Sequence, residues 1–192
     1  KDDLSGESRD LVERSLAETE RIDRLVRELL EYSAPIDRQA ESFCPVTLLR
    51  ETIDMLRHQG QLEGIEVNDL CTADGAQIDM DRGRLMQVWI NLLLNARDAM
   101  LERSVLEISS RLEGDTINVS VCDEGQGIEQ DAMKRIFEPF FTTKAPGSGY
   151  GLGLAVCQRI IDESGGTITV RSNPGKGTCF TVSLPCFTER LS

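Results

Sequence analysis

The stretch RGRLMQVWINLLLNARDAML, residues 82–101, carries most of the information about the fold. On a helical wheel its apolar side chains cover nearly the whole circumference, which is typical of a buried helix. One narrow line of polar side chains remains along the helix at 3.6 residues per turn. This line consists of Arg84, Gln87, Asn91, Asn95 and Asp98.

The polar line on this helix has two interpretations. Buried amides and carboxylates need partners, so the line can be the wall of a polar ligand site. The alternative is a stripe that faces solvent between packed neighbours, but such a stripe is usually wider and richer in Lys and Glu. Asn and Asp oxygens are hard ligands that suit Mg²⁺, which keeps several waters and bridges phosphates. We therefore favour the ligand site.

A second motif, GYGLGLA, spans residues 149–155 and leads directly into an apolar helical pattern. Glycine costs about 1 kcal/mol against alanine inside a helix, but it allows the backbone to approach another group closely. The free N–H groups at a helix start, with the positive end of the dipole, suit a phosphate. The alternative is a flexible loop that only caps the helix.

Two further polar clusters follow strands. DEGQG, residues 123–127, ends an apolar strand, and NPGKGT, residues 173–178, is a hairpin turn with a hydroxyl at its end. Either cluster could be ordinary turn chemistry, and this alternative is stronger for the second.

The chain reads as an α/β two-layer sandwich preceded by one long bundle helix. An apolar stripe covering about half the circumference predicts that helix over residues 8–33, ended by Pro35. Further helices are expected at 46–58, 82–101, 130–137 and up to Ser164. Strands are expected at 64–70, 77–80, 105–112, 116–123, 167–171 and 178–184.

Composition limits the possible partners. The formal net charge of −12 argues against a broad nucleic-acid-binding face. An acidic protein can still bind an anion locally, through backbone dipoles, a metal ion or a few cations. No apolar run approaches the roughly 20 residues of a membrane span, so we expect no membrane contact by this chain. Its six cysteines lack metal-binding spacing, and we interpret them as buried free thiols of a reducing cytoplasm.

Taken together, these motifs resemble the ATP-binding domain of sensor histidine kinases. NLLLNARDAM (91–100) is similar to the N box of that family, and DEGQG (123–127) to its first glycine box. FEPFFTTK (137–144) resembles the F box, GYGLGLA (149–155) the second glycine box and GKGT (175–178) the third. All five occur in the order that the family has.

The resemblance implies a Bergerat-type α/β sandwich, with a mixed sheet, helices on one face and an ATP lid at about 139–150. Residues 8–33 are similar to the second helix of the dimerisation and phosphotransfer hairpin. The implied domains are a partial dimerisation and phosphotransfer helix, residues 1–38, and a catalytic ATP-binding domain, residues 39–192.

The resemblance also implies roles in binding ATP and Mg²⁺. Asn95 would coordinate Mg²⁺ with the help of Asn91, and Asp123 would accept a hydrogen bond from the adenine amino group. Thr143 and Lys144 would neutralise the γ-phosphate, so Asn95 and Lys144 are the implied catalytic residues. The full implied nucleotide-binding set is Asn91, Asn95, Asp98, Asp123, Gly125, Gly127, Thr143, Lys144, Gly149, Tyr150, Gly151, Leu152, Gly153 and Thr178.

The chain departs from the family pattern at two points. Many members carry a lysine three residues after the metal-binding Asn, where this chain has Asp98, so Arg84 or Arg97 would have to supply that charge. The phosphoacceptor histidine is expected on a helix preceding residues 8–33. The single histidine, His58, is followed by Gln-Gly, and we interpret it as structural or exposed.

The function implied is transfer of the ATP γ-phosphoryl group to that histidine, and onward to an aspartate of a response-regulator receiver domain. A homodimer through residues 8–33 is expected in the full-length protein, in the cytoplasm. Related ATPases carry a glutamate as general base four residues before the metal-binding Asn, where this chain has Asn91. An amide cannot take that proton. A protein-serine kinase of the same superfamily and a nucleotide-binding pseudokinase scaffold stay open as alternatives.

Overall fold

The computed structural model describes residues 11, 12, 15, 19, 40–100, 104–144 and 149–188. Among the described residues from 40 onwards lie four helices: α1 (Pro45–His58), α2 (Arg82–Ala99), α3 (Gln130–Met133) and α4 (Gly153–Glu163). The strands are β1 (Glu41–Phe43), β2 (Glu66–Cys71), β3 (Ala76–Met80), β4 (Val105–Glu113), β5 (Thr116–Asp123), β6 (Thr167–Ser172), β7 (Thr178–Pro185) and β8 (Phe187–Thr188).

The central sheet has five strands in the order β2-β4-β5-β7-β6. Strand β2 runs parallel to β4, and the remaining neighbours are antiparallel, so the sheet is mixed. A smaller sheet, β1-β3-β8, stands beside it. The expected mixed α/β architecture is confirmed.

Helices α2 and α4 pack against one face of the central sheet, and α1 packs against α2. Alternate residues of β5, such as Val119 and Val121, are buried on that face together with Trp89 of α2. The other face carries small polar pairs: the hydroxyls of Ser120 and Thr181 lie 2.8 Å apart. The alternation of burial along β5 therefore gives the two layers, with the core between helices and sheet.

The predicted elements agree closely with the observed ones. Strand β5 has the predicted bounds, whereas α2 ends at Ala99 rather than at residue 101 and α3 ends at Met133 rather than at residue 137. Strands β1 and β8 were not predicted. They have 3 and 2 residues, too few for a pattern, and they form because each pairs with β3.

Most of the predicted long helix, residues 8–33, lies outside the described residues, as does the domain boundary at 38/39. The four described positions in it are helical. The Ser15 hydroxyl donates to the Leu11 carbonyl oxygen at 2.8 Å, and the Thr19 hydroxyl to that of Ser15 at 2.8 Å. A helix therefore precedes the sandwich, and its extent stays a prediction.

The interpretation of all six cysteines as free thiols is wrong. Cys122 of β5 and Cys179 of β7 are joined by a disulfide, with their Cα atoms 3.9 Å apart. The two residues are directly opposed in the β5–β7 register. They lie 57 positions apart in the sequence, so no local sequence pattern predicts that they are neighbours. Cys44, Cys71, Cys157 and Cys186 are free.

One buried hydroxyl connects β4 to the segment that follows β2. The Ser110 Oγ accepts hydrogen bonds from the backbone N–H groups of Thr72, at 3.0 Å, and Ala73, at 2.9 Å. We expect Ser110→Ala to lower the free energy of unfolding by about 1–3 kcal/mol, because a buried donor loses its acceptor. Urea denaturation measures this. The control Ser109→Ala, on the outer face, should change stability by less than about 0.5 kcal/mol, and equal losses in both variants would contradict the assignment.

Candidate functional site

A cavity of about 330 Å³ lies between α2, the loop after β5, residues 141–144 and the start of α4. Among the residues predicted to bind nucleotide, all but Gly125 line it: Asn91, Asn95, Asp98, Asp123, Gly127, Thr143, Lys144, Gly149, Tyr150, Gly151, Leu152, Gly153 and Thr178. The structure thus brings together motifs that lie up to 87 residues apart, since Asn91 and Thr178 both line the cavity. Their roles in binding stay predictions.

The exception, Gly125, lies behind the cavity and supports its wall. Its backbone N–H donates to the Asp123 Oδ1 at 2.8 Å. A Cβ at this position would overlap the carbonyl oxygen of Ala99, the last residue of α2. Gly125 therefore serves the site by letting the loop after β5 pass close to α2.

At its deep end, the cavity contains the carboxyl group of Asp123, a residue with only 8% of its surface exposed. Oδ1 accepts bonds from the Gly125 N–H and, at 3.2 Å, from the Thr178 N–H. Burial raises the pKa of Asp123, although these two hydrogen bonds act in the opposite direction. Within the described part of the chain nothing donates to Oδ2, so this oxygen can accept a hydrogen bond from a ligand amine.

Sequence reasoning missed Ser172, which holds two glycine-rich segments together at this end. Its Oγ accepts from the Ile128 N–H at 2.8 Å and donates to the Gly177 carbonyl oxygen at 2.9 Å. The same Oγ lies 3.0 Å from the Thr178 hydroxyl. A serine at a strand end is too common to signal this role, and its partner Ile128 lies 44 residues away in the sequence.

The apolar wall of the cavity was also missed. It is formed by Leu94, Ile128, Ile136, Phe141, Val156 and Phe180. In the sequence these residues resemble core residues, and several of them do pack against the core. Only their position beside the cavity distinguishes them from the other core residues. A flat apolar ligand group fits such a wall beside Asp123.

The opposite end of the cavity gathers charge. The Lys144 Nζ donates to the Asn95 Oδ1 at 3.1 Å and to the Asp98 Oδ2 at 2.7 Å. The Arg97 guanidinium donates to the Asp98 Oδ1 at 2.6 Å. Burial raises the pKa of Asp98, but the hydrogen bonds from Lys144 and Arg97 outweigh burial and hold it below its usual range.

Of the two arginines expected to replace the missing family lysine, the structure places only one at the cavity. Arg97 lines it. Arg84 instead forms an ion pair with Glu163 of α4 at 2.7 Å and does not line the cavity. Of these two alternatives the structure favours Arg97, because α4 packs against the part of the polar line that carries Arg84.

The start of α4 offers unsatisfied backbone donors to the cavity. Its N-cap, Leu152, makes no side-chain hydrogen bond, and no acidic side chain lies in the first turn. The first N–H groups and the positive end of the helix dipole therefore suit an anion such as phosphate.

The glycines before α4 do not all serve a ligand. Gly151 has a φ of +70°, and a Cβ there would overlap the Phe141 carbonyl oxygen. Its own carbonyl oxygen accepts from the Phe140 N–H at 2.9 Å. At this position the glycine is required by a close contact within the protein.

The donor atoms at the charged end of the cavity suit a divalent metal ion. Asn95 and Asp98 present hard oxygen atoms there, and an ammonium group already lies between them. The described residues contain no group of three or more His, Cys, Asp or Glu side chains able to hold a metal. An ion here would need further oxygen ligands from water, or from phosphates when these are present, as Mg²⁺ prefers.

His58 lies away from the cavity. It is exposed at the end of α1, with its Nδ1 2.7 Å from the Asp54 carbonyl oxygen. This agrees with the interpretation of His58 as an exposed residue.

Residues 80–187 match the family described as histidine kinase-, DNA gyrase B-, and HSP90-like ATPases. The chain belongs to this family of ATPases. It is 36% identical over 180 residues to the sensor histidine kinase ZraS of Escherichia coli K12, covering 94% of this chain and 38% of ZraS. The chain therefore spans well under half of that relative.

Two solved structures are similar over almost the whole chain. Full-length ShkA in complex with AMPPNP gives a TM-score of 0.78 at 28% identity, covering 97% of this chain and 40% of that one. Histidine kinase ThkA in complex with the response regulator protein TrrA gives 0.77 at 30% identity, covering 99% and 54%. Among the described residues, no helix is long and apolar enough to span a membrane.

The raised pKa of Asp123 predicts a pH-dependent gain in stability from Asp123→Asn. Because the folded protein favours the neutral carboxyl, its contribution to stability is present below the unfolded pKa of about 3.9 and is lost as the pH rises through the folded value. An amide keeps the Oδ1 acceptor without the buried charge. In the nucleotide-free protein we expect Asp123→Asn to raise the melting temperature at pH 7 and to lose this advantage towards pH 3.

Thermal unfolding across this pH range measures the effect. Asp131→Asn is the control, since Asp131 is fully exposed in an ion pair with Lys134. A lower melting temperature for Asp123→Asn than for the unchanged protein at pH 7 would contradict the assigned pKa direction.

Proposed function

We propose that this chain is the ATP-binding catalytic region of a sensor histidine kinase. It transfers the γ-phosphoryl group of ATP to a histidine on a helix outside this chain. The observation that carries the proposal is one cavity with a buried carboxylate and an apolar wall at one end, and amide oxygens, cations and a free helix N-terminus at the other. These two ends match the two ends of ATP.

The deep end of the cavity is assigned to adenine. The Asp123 Oδ2 accepts a hydrogen bond from the exocyclic amino group, while Oδ1 stays bound to the Gly125 and Thr178 N–H groups. The apolar wall, including Ile128 and Phe180, contacts the faces of the ring. The hydrogen bond also recovers part of the cost of burying the carboxylate.

The charged end is assigned to the phosphates. Asn95, with Asn91 beside it, would hold Mg²⁺, which neutralises phosphate charge and orients the γ-phosphoryl group. The N–H groups at the start of α4 bind phosphate oxygens, and Lys144 and Thr143 contact the γ-phosphate. In the reaction, an imidazole nitrogen attacks phosphorus in line, the bond to the β-phosphate oxygen breaks and ADP leaves.

Transfer to a protein nucleophile is favoured over hydrolysis. Four residues before Asn95 stands Asn91, whose amide cannot accept a proton from water at neutral pH. The unprotonated nitrogen of a neutral imidazole, by contrast, attacks without first losing a proton. Positioning and charge neutralisation are then sufficient for the reaction.

A response-regulator receiver domain is the proposed next acceptor, through its aspartate. The similarity to ThkA, solved with a response regulator protein, supports this partner. We also place the domain in the cytoplasm, where ATP is available. Free thiols are typical of a reducing cytoplasm, so the Cys122–Cys179 disulfide weakens this argument for that location.

The decisive experiment is phosphotransfer in trans. The chain is incubated with Mg-ATP labelled at the γ-phosphate and a separately produced helical hairpin that carries the acceptor histidine. We expect acid-labile label on the hairpin and none on His58. Asn95→Ala should reduce both transfer and Mg-ATP affinity by at least tenfold, because a charged ligand loses its partner.

Three outcomes are distinguishable. Tight binding of ATP without any transfer would indicate a pseudokinase scaffold. Acid-stable label on serine would indicate a protein-serine kinase. Label on His58 of the isolated chain, or full activity of Asn95→Ala, would contradict the assignment of the site.

A homodimer through residues 8–33 of the full-length protein is also proposed, because the apolar stripe predicted there requires cover. We expect Leu25→Glu together with Leu29→Glu to shift the full-length protein from dimer to monomer in sedimentation experiments. A dimer that survives both changes would place the contact elsewhere.

A further inference from the structure

The ammonium group of Lys144 occupies the position between two oxygen atoms of α2. Its Nζ lies 3.1 Å from the Asn95 Oδ1 and 2.7 Å from the Asp98 Oδ2. Asn95 and Asp98 are three residues apart on one helix, so both oxygens face the cavity from adjacent turns. The first of these oxygens is the one assigned above to the metal ion.

Asp98 is held in place independently of Lys144. Its other oxygen, Oδ1, accepts two bonds from the Arg97 guanidinium, at 2.8 and 2.6 Å. Arg97 in turn donates to the Gln61 side chain in the loop after α1. The carboxylate is therefore a fixed anchor, whereas Lys144 reaches it from a separate segment on a long side chain.

Lys144 and a divalent ion cannot share the Asn95 oxygen without strong repulsion, because both are cations at close range. One of the two must leave when the other arrives. Lys144 is the member that can move, since its ammonium group lies at the end of a long side chain that is 35% exposed. Asp98 remains the counter-ion of Lys144 while the ammonium group moves towards the phosphates.

We propose that Lys144 is an exchangeable internal cation of this site, and that Asp98 is the residue that positions it. In the nucleotide-free protein, Lys144 occupies the Asn95 oxygen and opposes metal binding. When Mg-ATP binds, Lys144 leaves Asn95 and contacts the γ-phosphate. Only the state with Mg-ATP bound rests on the proposed function.

The exchange also explains the acid at position 98. A lysine on α2 would be a fixed phosphate-binding cation, as the resemblance to sensor histidine kinases implies for many members of that family. In this chain Asp98 instead recruits two cations, Arg97 beside it and Lys144 from another segment. The positive charge is then supplied by a side chain that can change partners.

The test measures Mn²⁺ binding to the nucleotide-free chain by electron paramagnetic resonance. We expect Lys144→Gln to bind Mn²⁺ about tenfold more tightly than the unchanged chain, because the Asn95 and Asp98 oxygens lose their competitor. The control Lys134→Gln also removes one positive charge, from an exposed ion pair with Asp131. It should change the affinity by less than twofold.

The role of Asp98 is tested by a double-mutant cycle. In an Asp98→Asn background, Lys144→Gln should change Mn²⁺ affinity by less than twofold, whereas Asp98→Glu should restore the larger effect. Equal Mn²⁺ affinity of Lys144→Gln and the unchanged chain would overturn the proposal, as would the same effect of Lys144→Gln with and without Asp98. No nucleotide is present, so loss of ATP binding, measured separately by calorimetry, would count against the proposed function alone.

Discussion

The buried carboxyl group of Asp123 is the constraint on which the site depends. It lies at the end of β5, opposite Thr178 of β7 in the register of the sheet. Its Oδ1 holds the backbone of Thr178 and Gly125, and so connects the sheet to the loop that passes α2. Burial of this group raises its pKa, which means that the nucleotide-free fold carries a cost at neutral pH. A ligand amine that bonds Oδ2 offsets it.

Helix α2 contributes to both the core and the cavity. Its apolar residues, among them the fully buried Trp89, fill the space between the sheet and the neighbouring helices. Its remaining polar line divides: Arg84 bonds to α4, whereas Asn95 and Asp98 face the cavity. Because one rigid helix carries both surfaces, the packing of the core fixes the distance between the two ends of the cavity.

The site places positive groups in a chain whose net charge is negative. With a net charge of −12, the protein repels polyphosphates at long range, and only local groups can bind them. The groups at hand are the start of α4, Arg97 and Lys144. Asp98 holds both cations where the phosphates are expected, and an acid at the phosphate end is thereby compatible with binding an anion.

The sequence by itself determined most of the elements between residues 45 and 185, the two-layer class and most of the polar lining of the cavity. Periodicity and turn residues are local signals, and the five motifs carry residues such as Asn95 and Asp123 that ordinary packing does not require. Only the tertiary structure decided which apolar residues line the cavity, that Ser172 bonds Ile128, that Cys122 faces Cys179 and that Lys144 bonds Asp98. These contacts join residues distant in sequence, such as Asp98 and Lys144 on different elements. Their distances depend on how helices and strands pack, and no local pattern of side chains encodes that packing.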